Sequence, residues 1–153
     1  MNLKYVFTNE TLQHDGRILH RIKALKSFGN VNKNDLGGWI EKEDNLSQEG
    51  DCWIADNAKV YDKAYVYDNA QIYGNAEICG HAIIANNFDY IVFESWWDCS
   101  RFFTWTKSNN MWYVGWFYGT GKELIEKAYN NSELSGREYE RVVKYVESII
   151  KAE

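Results

Sequence analysis

The chain has 153 residues, enough for one domain or two small ones, and 45% of them are hydrophobic, which can supply a core. A net charge of −5 argues against duplex nucleic acid as a partner, because a sequence-independent grip on phosphate needs a basic face. Cys52, Cys79 and Cys99 make an odd count without a Cys-x-x-Cys pair, so neither a disulfide framework nor a zinc knuckle is indicated. With no signal-like opening and no apolar run of membrane-spanning length, a cytoplasmic location without a membrane partner is expected.

Residues 1–50 read as an N-terminal β cap with a degenerate coil. "KYVFTNETL" and "RILHRIKAL" alternate as strands, with His14-Asp15-Gly16 as the turn between them. Ile40 and Leu46 stand six apart, whereas Leu46 and Ile54 stand eight apart. A two-residue insertion around Glu49-Gly50-Asp51 therefore separates this coil from the regular run that follows.

Residues 51–88 carry that run: IADNAK, VYDKAY, VYDNAQ, IYGNAE, ICGHAI and IANNFD, beginning at Ile54. Each unit offers a branched apolar residue suited to a strand, then a pair rich in Asp, Asn and Gly. Those residues tolerate the left-handed backbone angle of a sharp corner. In the first five units a small Ala follows. Strands bent every six residues coil into a three-sided prism with Ile54 stacked on Ile72, Val60 on Ile78 and Val66 on Ile84. The spacing matches the left-handed parallel β-helix. Tyr61, Tyr67 and Tyr73 each follow an inward residue and should point outward. A solenoid this short has open ends, so capping and homo-oligomerisation, most simply as a trimer, are expected.

Residues 89–153 abandon the repeat. "DYIVFES", "SRFFTWTKSN" and "NMWYVGWFYGT" suggest three strands, the last two joined through Lys107–Asn110. Two helices should follow, opened by Thr120-x-x-Glu123 and Ser135-x-x-Glu138 capping boxes. The expected fold is thus mainly β: a short left-handed β-helix, a β cap before it and a βββαα α+β region after it.

Chemistry-bearing candidates are sparse. His81 alone occupies the repeat, where it replaces a corner Asn; a hexapeptide-repeat acyltransferase would use such a histidine as base. A metal lyase on this scaffold needs three histidines, and His14 and His20 lie outside the repeat without ligand spacing, so no metal ligands, catalytic residues or cofactor are assigned. Gly119-Thr120-Gly121-Lys122 opens a helix and could meet a phosphate, although it lacks the P-loop spacing. The densest signal is aromatic. Along single strands, alternation puts Phe103, Trp105 and Lys107 on one face, and Trp112, Trp116 and Tyr118 on another. If one sheet face stays open, Trp96, Trp97, Trp105, Trp112, Trp116 and Tyr118 could stack a base. Arg101, Lys107 and Lys122 would then meet its phosphate.

From about Arg21 to the C-terminus, "DLGGWIE", "NLS", "GDCWI", the repeat and "YVGWFYGTGKEL" together resemble small phage- and prophage-encoded hexapeptide-repeat proteins. The resemblance implies a phage context, hence the host cell's cytoplasm, and no catalytic residues. In that context, a small acidic protein without an enzyme motif would serve counter-defence. The reading is an oligomeric, non-catalytic binding protein that sequesters a small (cyclic) nucleotide signal of immunity. The alternatives are an inhibitor that binds a host defence protein directly, and a hexapeptide-repeat acyltransferase.

Overall fold

The computed structural model describes residues 2–98, 101–115 and 117–152. Strands β1 (Tyr5–His14) and β2 (Arg17–Ala24) form an antiparallel hairpin around Asp15 and Gly16, both at positive φ. Two left-handed residues in succession match the strand twist, which is why Asp-Gly suits this position. β2 pairs with β3 (Leu36–Ile40), which pairs in parallel with β5 (Lys59–Val60) and, through it, β8 (Glu77–Ile78). The hairpin therefore extends one side of the coil. Gly37 and Gly38 are needed where β3 lies on its neighbours: a Cβ at either would come within 2.5 Å of the carbonyl oxygen of Ile54 or Ala58.

The coil has two further parallel ladders, β4 (Trp53–Ile54) with β7 (Gln71–Ile72) and β6 (Tyr65–Val66) with β9 (Ile83–Ile84). Ile54 pairs with Ile72, Val60 with Ile78 and Val66 with Ile84, each a step of 18 residues. Ile40 pairs with Val60 and Leu46 with Val66, a step of 20, so the two-residue insertion shows directly in the register. Asp56, Asp62, Asp68, Gly74 and Gly80 all have φ between 54° and 66°, a left-handed corner every six residues. The branched residues and Ala58, Ala64, Ala70, Ala76 and Ala82 fill one interior, all at most 1% exposed.

Each coil donates backbone hydrogen bonds to the next, as in Trp53 N–H to Ala70 O, Lys59 N–H to Ala76 O and Tyr65 N–H to Ala82 O. The last coil has no successor to receive them. Side chains substitute: Asn87 Oδ1 accepts from Gln71 N–H (2.8 Å), Thr104 Oγ1 from Glu77 N–H (3.1 Å) and Ser108 Oγ from Ile83 N–H (2.9 Å). An open strand edge would template pairing with another chain. Here these three donors are taken, two of them by the C-terminal unit.

That unit is an antiparallel meander of four strands, β10 (Tyr90–Glu94), β11 (Phe102–Thr106), β12 (Met111–Val114) and β13 (Phe117–Gly119), followed by α1 (Gly121–Asn131) and α2 (Glu133–Ala152). The third expected strand is really a hairpin: the chain reverses at Gly115, and Val114 pairs with Phe117. Thr120 caps α1 as expected, with Glu123 N–H donating to its hydroxyl and Glu123 Oε1 accepting from Thr120 N–H. The second cap differs. α2 begins at Glu133, and Ser132 Oγ accepts from Ser135 N–H, so the cap lies three residues upstream of the expected Ser135. Glu138 instead pairs with Arg141 one turn on, at 3.2 Å. No helix among the described residues is long and apolar enough to cross a membrane.

Candidate functional site

The C-terminal sheet has two covered faces, which decides where the aromatic residues go. Phe103, Trp105, Trp112 and Val114 pack against Leu124, Ala128, Tyr139, Val143 and Val146 of the helices. Trp105 is 2% exposed and donates its indole N–H to Asn110 Oδ1 at 2.8 Å; Trp112 is 1% exposed. On the other face Thr104 bonds the last coil, and Tyr113 packs with Leu19, Tyr61 and Cys79. The open face required for base stacking on Trp105 and Trp112 is absent among the described residues. The reversal at Gly115 also changes parity: Tyr118 stands opposite Tyr113, and Gly119 opposite Trp112. Tyr118 therefore shares the solenoid-facing side rather than that of Trp112. Its hydroxyl lies over Gly80, whose missing side chain leaves the space.

The other candidates are spread out. Trp97 is partly buried, edge-on to Tyr139 at 5.1 Å, whereas Trp96 is 73% exposed. Arg101 is exposed and pairs with Asp98 at 3.4 Å. Lys107 borders a hollow of about 250 Å³ with Phe88, Trp105 and Ile149. Lys122 borders another, of about 240 Å³, beside Trp112, Thr120 and Glu147. The start of α1 already holds the Glu123 carboxylate, drawn to low pKa by the Thr120 N–H and hydroxyl, and a phosphate there would meet that charge. Trp116 lies outside the described residues.

A groove missed by the sequence reading runs where the solenoid meets β10. It holds about 410 Å³ and is lined by Tyr73, Gly74, Asn75, Asn87, Tyr90, Ile91, Val92 and Phe102. Tyr73 is 59% exposed and edge-on to Tyr90 at 6.4 Å. Tyr90 in turn donates its hydroxyl to Gln71 O at 2.7 Å, so it is anchored. Burial raises the Tyr90 pKa and keeps it a neutral phenol. Asn75 and Asn87 bring side-chain amides, which offer both donors and acceptors. Arg101, one of the expected cations, directly precedes Phe102 in the chain. Among the described residues, the lining contains no carboxylate, histidine, lysine or cysteine. The three outward tyrosines thus meet different fates: Tyr73 borders the groove, Tyr67 stacks on Tyr65 at 5.0 Å, and Tyr61 is buried beneath the hairpin tip and β12.

A polar cluster gathers around Tyr61. His14 Nε2 lies 2.9 Å from Glu77 Oε2 and 3.5 Å from Asp15 Oδ2. Tyr61 donates to Glu77 Oε2 at 3.3 Å and Tyr113 to Asp15 Oδ2 at 2.8 Å. Desolvation first, and the nearby acidic groups after it, raise the pKa of both phenols, so both remain donors. Arg17 lies over the Tyr61 ring and pairs with Glu41 and Asp62. Cys79 beside them is pushed up to about 12 by burial, against the pull of the Tyr61 hydroxyl, and this favours the neutral thiol over the nucleophilic thiolate. His14 and Glu77 are 63 positions apart, so no spacing in the sequence could have joined them. His81 is exposed at a corner of the last coil, away from any described hydrogen-bond partner.

No family model matches the chain. An uncharacterized acetyltransferase of Escherichia coli K12, YdcK, is 44% identical over 48 residues, which cover 29% of this chain and 15% of that protein. The chain thus matches a small part of its relative's length.

Proposed function

We propose that this protein is a non-catalytic binding protein whose hexapeptide repeat, coiled left-handed, is a rigid scaffold, and whose ligand is a small nucleobase-bearing molecule held in the groove of Tyr73, Tyr90 and Phe102. The observation that carries the reading is the groove itself. It is concave, of ligand size, walled by aromatic rings and furnished with two amides, and its described lining residues include no carboxylate, histidine, lysine or cysteine. Rings take the faces of a base and amides take its polar edge. Arg101 supplies the nearest of the expected cations along the chain for an attached phosphate. In this proposal the protein acts in the host cytoplasm as a homotrimer and withdraws a nucleotide signal of bacterial immunity, the setting that the resemblance to phage-encoded proteins implies.

Calorimetry against nucleosides, cyclic di- and oligonucleotides and ADP-ribose derivatives tests the site. Saturable binding lost in Tyr73→Ala and Phe102→Ala supports it; a blank panel, with a stoichiometric host protein captured instead, replaces it by direct inhibition of a defence protein. Light scattering gives the assembly state.

The match to YdcK favours a second reading, an acyltransferase. It predicts acetyl-CoA binding and acetyl transfer that disappears in His81→Ala. The short overlap lends it less than the groove lends binding, because every branched residue, alanine and corner of the repeat is already required by the coil.

A further inference from the structure

We infer that His14, Asp15 and Glu77 form a binding site for a divalent transition-metal ion at the junction of the hairpin tip, the coil and the C-terminal sheet. Each residue offers one ligand atom, and the three atoms lie within 4.8 Å of one another. An ion with bonds of about 2.1 Å in tetrahedral geometry separates its ligand atoms by about 3.4 Å. The distances from His14 Nε2, 2.9 Å to Glu77 and 3.5 Å to Asp15, bracket that spacing. Imidazole with two carboxylates is a mixed N/O set that suits zinc or manganese.

The support around the three is that of a metal centre. Tyr113 steers the Asp15 carboxylate and Tyr61 the Glu77 carboxylate, each by donating to the oxygen that faces the imidazole. Such partners orient ligands and leave a lone pair on each oxygen for the ion. Asp15 holds φ at 51° in the turn, which fixes its backbone, and the Tyr113 hydroxyl holds its carboxylate at 2.8 Å. The His14 and Glu77 side chains are only 20% and 22% exposed, yet the hairpin tip opens onto a recess of about 440 Å³ lined by Gln13, His14, Asp15, Gly16, Arg17 and Ile18. Three protein ligands leave a position free on that side for water or an oxyanion.

The test is calorimetric titration of chelator-treated, tag-free protein with zinc chloride and with manganese chloride. One ion per chain is expected. Glu77→Gln and Asp15→Asn keep hydrogen-bonding side chains, and Asn tolerates the left-handed angle, so both should fold with unchanged circular dichroism. Each should weaken the Kd by about tenfold or more, and Tyr113→Phe by about tenfold. His81→Asn removes an exposed histidine that is not one of the three ligands and should bind as the parent does. Absence of saturable binding for both ions overturns the site, as does an affinity that survives Glu77→Gln and Asp15→Asn or falls equally in His81→Asn. The nucleotide panel addresses a different groove, so the two proposals fail independently.

Discussion

The solenoid and the C-terminal unit bury their side chains by different rules. In the coil a residue's fate follows from its place within six: branched residues go inward, alanines fill the corners, and Asp or Gly takes the left-handed angle. Neighbours repeat at 18 residues, so the inward positions stack on one another, and Tyr5, Ile22, Ala24, Val31 and Tyr90 join the same core from outside the repeat. In the C-terminal unit, fate follows from cross-strand pairing. Trp112 lies in the core because Trp105 stands opposite it and the helices cover both, and Tyr113 faces the solenoid one position later. A repeat therefore tolerates local change that conserves volume and corner angle, whereas a meander turns on where each hairpin reverses.

The sharpest challenge to that contrast is in the C-terminal core. Trp112→Ala removes the ring packed with Phe93 and Phe103 and should cost about 3–5 kcal/mol in denaturant unfolding. In the coil, Ala70→Leu should cost about 1–3 kcal/mol by overpacking a fully buried corner, while Lys63→Leu on an exposed corner should stay within about 0.5 kcal/mol. Equal effects would refute the six-residue rule. Thr104→Val, nearly isosteric, strips the acceptor from Glu77 N–H and should cost about 1–3 kcal/mol, provided the C-terminal unit is the true end cap of the coil. Ser132→Ala should cost about 1 kcal/mol and Ser135→Ala less, the reverse of what the sequence pattern suggests.

The smallest effect at neutral pH comes from Cys79. Burial raises its folded pKa from the ordinary 9.0 to about 12, so the folded state holds the proton more tightly than the unfolded chain does. Its contribution is complete below pH 9.0 and is lost as pH rises from there toward about 12. Denaturant midpoints at pH 8 and at about pH 10.5 should therefore diverge less in Cys79→Ala than in the parent.

Much of the scaffold was legible in the sequence. The six-residue beat, the insertion near Gly50, the Asp15-Gly16 turn and the Thr120 cap are local patterns, and each recurs in the structure as read. The candidate site was barely legible. Aromatic density announced that rings would cluster, but not which face each would take, because Gly115 reverses the strand and moves Tyr118 away from the side of Trp112. The groove depends on Tyr73 meeting Tyr90 and Phe102, and the polar cluster on the hairpin tip landing beside Glu77. Neither meeting has a local signature.

The amino-acid sequence by itself determined the period of the coil, its corners and the inward set, since backbone angle and side-chain volume act within a few residues. Only the tertiary structure decided what covers each outer face: Tyr61 buried under the hairpin tip and β12, Tyr73 left at a groove, Trp105 and Trp112 sealed by two helices. Those outcomes rest on contacts between segments far apart in the chain, where shape and hydrogen bonding across the whole molecule select one arrangement from many with the same local pattern.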